Sequence, residues 1–290
     1  MKTMANYFLI LALIISSVSS GSEVLSAIDA TGISLQSNQV INGDMVVTLE
    51  EMSISDILKT QAAIPSVLSN SMLHTYSVSI RKWPNGIIPV VFEEDVTVDE
   101  KKIFFSACAE WAQMGTVSCI DYTDNMSGLV QSNLSYLIVS KRLGGCWSYL
   151  GAGEPGVAHR MNLAPGGYCF SHRTVLHELG HAFGFIHEHQ RQERTQYIDM
   201  IESNIDPEMS SQFDTMLVKF EKPTYDFLSI MHYSIWSGAK KYGLHTMKVR
   251  PEYAEFNDVI GQGDGLSSED RNAILNFYHP RSKSSQRDQN

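Results

Sequence analysis

Basic clusters are missing from this chain. Its 22 Lys and Arg are spread out and outnumbered by 32 Asp and Glu, for a formal net charge of −10. With a pI near 5.4 and no basic stripe to follow a phosphate backbone, nucleic acid is not an expected partner. Beyond the first fifteen residues no apolar run approaches the roughly 20 residues that a membrane-spanning helix needs, so no membrane anchor is expected. Cysteine is scarce, four in 290 residues, and none falls between residues 21 and 73. Four cysteines suit an exported chain with disulfides, which form in oxidising compartments. No internal repeat is visible, which argues against a solenoid. What is present is 43% hydrophobic residues, enough for one substantial core or two small ones.

The N-terminus runs from Lys2 through an apolar stretch, Tyr7 to Ile15, into small residues, Ser16 to Gly21. Basic, apolar and small segments in that order make a secretory signal peptide, residues 1–20, and predict a secreted, extracellular protein. Residues 21–73 form a separate segment with scattered apolar residues, apart from a possible short helix around Asp56. Such a stretch buries little surface on its own. Within it, Asn42-Gly43-Asp44 reads as a turn between two strands. Asn125-Met126-Ser127 and Asn133-Leu134-Ser135 are glycosylation sequons, a common chance pattern that permits modification without requiring it.

The most informative stretch is His177-Glu178-Leu179-Gly180-His181, continuing to Gly184 and His187. It reads H-E-x-x-H-x-x-G-x-x-H. On a helix, His177 and His181 lie about one turn apart on the same face. Two imidazoles so placed can share one tetrahedral Zn²⁺. Glu178 points to a neighbouring sector, close enough to take a proton from water without ligating the metal. Gly184 lets the helix stop in a sharp turn, which can bring His187 back as a third ligand and leave a fourth position open, as in catalytic sites. A lone H-E-x-x-H occurs by chance in ordinary helices. Five fixed positions coincide by chance in a chain of this length on the order of once in 10⁵. Ser229-Ile230-Met231-His232-Tyr233 follows, and the long zinc motif with a later Met-turn is the metzincin signature.

These two stretches together resemble the astacin family of secreted zinc endopeptidases. The resemblance spans about residues 74 to 280, with a weaker match before it, and includes Trp83 to Val90 at the start of the mature part. It implies an α+β fold of the metzincin or zincin-like kind, with two subdomains and a cleft between them. The first holds a mixed twisted sheet and the zinc helix; the second is irregular and holds the Met-turn and a final helix. The implied function is zinc-dependent hydrolysis of protein or peptide substrates, with one Zn²⁺ per chain held by His177, His181 and His187. Glu178 would be the general base and acid, Met231 an apolar floor under the imidazoles, and Tyr233 a zinc ligand at rest that swings to stabilise the oxyanion. A buried core tyrosine is the plainer reading of Tyr233. By the same resemblance residues 21–73 are an inhibitory propeptide whose Asp44 reaches the zinc, although Ile41 stands where the family usually has an aromatic. Activation would cut near Leu73-His74, and the new amino group would pair with Glu188. The stretch from Gly144 to Leu150 would be the edge strand on which substrate lies extended.

The resemblance also implies a Cys146–Cys169 disulfide. Cys119 matches a family cysteine whose usual partner, near the C-terminus, has no counterpart here, and Cys108 is left over. A local Cys108–Cys119 bridge and two free thiols are both open. Local patterning adds an amphipathic helix over 97–113, strands at 118–122 and 135–140, and Ser267 as a helix N-cap with Asp270 three residues on. His189 and His232 lack ligand spacing and read as structural. The tail, residues 281–290, is polar and expected to be disordered, with no further module after the catalytic part. The alternative function is a catalytically inactive zinc-binding or recognition protein on the same fold.

Overall fold

The computed structural model describes residues 27–28, 34–35, 39–42, 44–49, 75–218 and 224–279. The expected signal peptide, most of the propeptide, the Leu73-His74 cleavage position and the C-terminal tail lie outside the described residues. Among those described, no helix is long and apolar enough to cross a membrane.

A two-residue ladder, Ala27–Ile28 antiparallel to Ser34–Leu35, comes first and is followed by a hairpin. β1 (Gln39–Asn42) pairs antiparallel with β2 (Met45–Leu49), and Asp44 sits in the turn between them. β3 (Thr75–Ser79) opens the main body. β4 (Ile87–Phe92) leads into α1 (Val98–Trp111). Thr97 and Glu100 cap that helix reciprocally, which satisfies two of the amide groups a helix start leaves unpaired. β5 (Ser118–Asp121), the short α2 (Met126–Ser132) and the strands β6 (Tyr136–Ser140), β7 (Cys146–Tyr149) and β8 (Ala158–Leu163) follow. α3 (His172–Phe183) carries the first two histidines of the motif. After it the chain runs mainly in single turns, with β9 (Ile198–Met200), β10 (Thr215–Val218) and β11 (Met247–Val249). α4 (Ser268–Tyr278) closes the fold, with the Ser267–Asp270 capping box at its start.

The sheet is mixed. Its order is β10–β3–β2–β7–β8–β6–β4–β5. β8, β6, β4 and β5 pair in parallel, and β7 joins β8 antiparallel. β1 runs along one side of β2. On the other side, residues 45–46 of β2 pair in parallel with β7, and residues 48–49 pair antiparallel with β3. Sequence reasoning treats β7 as an exposed edge. Within residues 75–279 it does have β8 on one side alone, but the β1–β2 hairpin takes its other side. Ser148 N donates to Asp44 O at 2.8 Å and Leu150 N to Val46 O at 3.0 Å.

Two main apolar cores result, with two smaller clusters around Met45, Val78 and Met216 and around Val46, Trp147 and Tyr149. The larger lies between the sheet and α1, α3 and α4, around Trp83, Phe104, Trp111, Leu176, Phe183 and Phe277. Trp111 locks α1 to α3, donating its Nε1–H to Leu176 O at 2.9 Å and stacking on Phe185 at 5.5 Å. The smaller core gathers Ile198, Phe213, Tyr225, Phe227, Met247 and Ile260 from the irregular second half. Each core has to exclude water separately, because the metal motif and its polar surroundings lie between them. Cys108–Cys119 and Cys146–Cys169 are disulfide-bonded, and both bridges precede α3.

Candidate metal centre and active-site cleft

α3 starts at Ser171, whose side chain accepts from Thr174 N, and stops at Gly184 with φ +107°, a conformation that favours glycine. A Cβ on Gly184 would also meet Ile80 Cγ2 at 2.7 Å. The left-handed turn sends Phe185 and Ile186 back along the helix and delivers His187 beside His177 and His181. The Nε2 of His177 lies 3.2 Å from that of His181 and 3.3 Å from that of His187.

The tautomers follow from the partners. His177 Nδ1 lies 2.8 Å from Ile230 O, His181 Nδ1 2.7 Å from Phe185 O, and His187 Nδ1 2.9 Å from Gln190 Oε1. These oxygens can only accept, so each Nδ1 carries the proton and each Nε2 turns a lone pair inward. Three lone pairs this close repel unless a cation lies between them. A tetrahedron with metal–nitrogen distances of about 2.0–2.1 Å has an edge of roughly 3.3 Å, and the observed nitrogen spacing matches it. The fourth corner is occupied. Asp44 places Oδ1 2.9 Å from His187 Nε2 and 3.5 Å from that of His181, and Oδ2 3.2 Å from His177 Nε2. Three histidines and one carboxylate are a donor set that fits Zn²⁺.

Electrostatics agree with that donor set. Burial, with the neighbouring imidazoles, lowers His181 to about 4 against the opposing pull of Asp44, so it stays neutral, as a ligand must. Burial would raise the Asp44 carboxyl, but its contacts with the imidazoles, His187 first, outweigh it and hold Asp44 well below the usual range. Glu178 is buried beside the cluster, and burial first, then the Asp44 charge, push its carboxyl well up. Its Oε2 has no hydrogen-bond partner among the described residues. A buried carboxylate oxygen left unpaired is costly and is typical of a group that works on a bound molecule.

Met231 lies under the site. A Cβ on Gly180 would meet its sulfur at 2.3 Å, so the helix carries glycine where the methionine packs. Tyr233 lays its ring 4.4 Å from His187 and 4.3 Å from His189, and its hydroxyl donates to Gln212 Oε1 at 2.8 Å. Burial, then the charges of Asp44 and Glu178, raise the phenol well above its ordinary value, which keeps it a proton donor. His189 Nε2 bonds Gln212 O at 2.9 Å and His232 Nε2 bonds the Tyr225 hydroxyl at 2.7 Å; neither joins the four-residue cluster. Glu188 is buried and accepts from Arg191 Nη1 at 2.7 Å and Asp226 N at 2.8 Å. Asn125 and Asn133 are exposed at the two ends of α2.

A cavity of 320 Å³ opens from the cluster, lined by Asp44, Tyr168, Arg173, Glu178, Tyr233 and Gly261 among others. Arg173 is pinned at its rim by the carbonyls of Gly263 at 2.8 Å and Gly261 at 2.9 Å. Sequence reasoning missed Arg173, Gln190 and Gln212. Gln190 is within reach of it, three residues past a ligand in a single turn, whereas Gln212 meets Tyr233 only through the fold.

Three inward imidazoles on a helix and its following turn, beside a sheet edge that can pair with extended peptide, define a zinc metallopeptidase domain. A profile of the Astacin family, Peptidase family M12A, matches residues 75–279. The chain belongs to the astacin family, whose cofactor is zinc. It is 32% identical over 214 residues to Tolloid-like protein 2 of Mus musculus, covering 70% of this chain and 20% of that protein. With Zinc metalloproteinase nas-14 of Caenorhabditis elegans it shares 30% identity over 264 residues, covering 86% of this chain and 49% of the relative. The chain thus spans from a fifth to a half of the length of these two relatives. The solved structure of High choriolytic enzyme 1, a hatching enzyme zinc-protease from Oryzias latipes, superposes with a TM-score of 0.59 at 27% identity, covering 70% of this chain and 94% of that one.

Proposed function

We propose that this chain is a secreted zinc endopeptidase that hydrolyses peptide bonds of extracellular proteins and is made in a latent form. The observation that carries the proposal is the convergence of Asp44 on the three Nε2 atoms of His177, His181 and His187, with Glu178 Oε2, unpartnered among the described residues, alongside. In the proposed division, residues 1–20 are the signal peptide, 21–73 the propeptide and 74–280 the peptidase domain. Secretion is supported by the order of segments at the N-terminus and by the two disulfides, which persist in oxidising compartments. Asn125 and Asn133, the exposed asparagines of the two sequons, suit glycosylation there.

His177, His181 and His187 would hold the zinc, which when bound acts as a Lewis acid toward water and the scissile carbonyl. Glu178 takes a proton from the attacking water and delivers it to the leaving amine. The burial that raises its carboxyl, apart from the charge of Asp44, suits both halves of that exchange. The Tyr233 phenol leaves Gln212 to donate to the oxygen that becomes negative, a contribution of typically 10²–10³ in rate for one such donor. Substrate pairs along the side of β7 that β2 now covers, so propeptide and substrate compete for one backbone edge as well as for one ligand position. After cleavage, the new amino group would turn toward Glu188, whose carboxylate lines a 170 Å³ cavity with Gly184, Arg191 and Met216.

The test is casein hydrolysis by the purified chain before and after proteolytic removal of residues 21–73, with zinc content measured alongside. Activity should appear only after removal, be lost on chelation, and be lost in Glu178→Ala with zinc still at about one per chain. Full activity of Glu178→Ala would overturn the assigned base. A cut, zinc-loaded chain that hydrolyses neither casein nor a peptide library would instead make it a zinc-binding relative without activity.

A further inference from the structure

Asp270 lies at the start of α4, is buried, and contributes nothing to the cluster of metal-ligating atoms. Its carboxylate nevertheless ends a directed chain of hydrogen bonds that begins at the ligand His177. His177 Nδ1–H donates to Ile230 O at 2.8 Å. The peptide unit that owns this carbonyl carries its N–H on Met231, and Met231 N donates to Ser229 Oγ at 3.1 Å. The Ser229 hydroxyl then donates to Asp270 Oδ1 at 2.6 Å. We propose that Asp270 and Ser229 are positioning residues for the metal centre, acting through the Ile230–Met231 peptide to set the orientation and donor strength of His177 toward Zn²⁺.

All donors in the chain point the same way, toward the carboxylate. Aligned links polarise one another, and the short hydroxyl contact has the length of a bond to a carboxylate. Electron density pushed onto Ile230 O makes it a better acceptor for the Nδ1 proton, which makes Nε2 a stronger donor to metal. Partners of this outer kind typically change metal affinity 10–100-fold when removed. The other Asp270 contacts fix the geometry: Oδ2 accepts from Ile230 N at 2.9 Å and Ser267 N at 3.1 Å. One carboxylate therefore grips both the Met-turn and the cap of the last helix. Ser267 Oγ in turn donates to Asp226 Oδ2 at 2.6 Å, so the two sides of the turn are tied at one point. Ser229 is the informative link, because it lies in the relay and outside the helix cap.

This inference rests on the zinc-site reading above, and the experiment separates the two. The full chain is loaded with zinc, and its dissociation constant is measured by competition with a chromophoric chelator for wild type, Ser229→Ala, Asp270→Asn, the double variant and His177→Ala. The visible spectrum of the Co²⁺-loaded forms is recorded in parallel. Ser229→Ala should weaken zinc about 10-fold or more and shift the Co²⁺ bands, and Asp270→Asn should add little to it in the double variant, since both break one relay. A purely structural role would lower the melting temperature and leave the dissociation constant and spectrum unchanged. Zinc affinity of Ser229→Ala within twofold of wild type therefore overturns the proposal, even if Asp270→Asn fails to fold. Wild-type zinc affinity in His177→Ala would overturn the zinc-site reading itself.

Discussion

At Gly180 a hydrogen atom stands where any other residue would press on Met231. A Cβ there would sit 2.3 Å from the methionine sulfur and 3.2 Å from Trp111 Cζ2. Alanine is the better helix former by about 1 kcal/mol, yet overpacking a buried contact of this kind costs about 1–3 kcal/mol. Gly180→Ala should therefore lower stability by about 1 kcal/mol net and displace Met231, read as a lower urea midpoint of the metal-free chain. At this scale the sequence is most legible. His177, His181, His187, Glu178 and Gly184 announce themselves because a metal demands fixed donors at fixed helical spacing. Gln190 and Gln212 do not, because a neutral amide that orients a ligand or holds a phenol looks like any other polar side chain until its partner is seen.

Among the elements, the two disulfides divide the labour. Cys146–Cys169 closes the segment from β7 to just before α3, and Cys108–Cys119 ties the end of α1 to β5 across eleven residues. A loop that short stabilises by about 3 kcal/mol through the unfolded chain. Replacing Cys108 and Cys119 together with alanine should lower the unfolding free energy by roughly that amount and leave zinc content unchanged, measurable by denaturant titration with metal analysis. Helices are readable at this scale: apolar spacing marks the helix over 97–113, Ser267 with Asp270 marks the start of the last one, and Gly184 marks a stop. The edge of the sheet is less so. The turn at Asn42-Gly43-Asp44 is visible in its composition, but β2 pairs with β7 about a hundred positions away and with β3 about thirty away, and no local pattern encodes such partners.

For the molecule as a whole, pH is the variable that reaches furthest. His159 is buried against Tyr149 at 4.6 Å and bonds Gly151 O at 2.9 Å. Burial lowers it to about 4, against the opposing pull of that carbonyl. In the unfolded chain it titrates near 6.5, so the unfolded state gains the proton first as pH falls. The stability tied to the neutral ring is complete above pH 6.5 and is lost between there and pH 4, about 3 kcal/mol in all. His159→Asn should flatten the pH dependence of unfolding over that window, compared with wild type in the same buffers. An unchanged slope would remove His159 from the acid response. The division into two cores is only partly legible in the sequence. The first half reads as regular helices and strands, while the second buries its apolar residues through single turns that carry no period.

The metal site also has a history in time. Its three imidazoles lie within eleven residues of one another, whereas Asp44 reaches His177 from 133 positions away. Closing the longer loop costs more chain entropy and waits on the sheet. Loop entropy therefore favours bringing the histidines together through α3 and its turn before Asp44 arrives with the pairing of its strand. A chain that folds in this order would present three imidazoles with an open fourth position before Asp44 closes it.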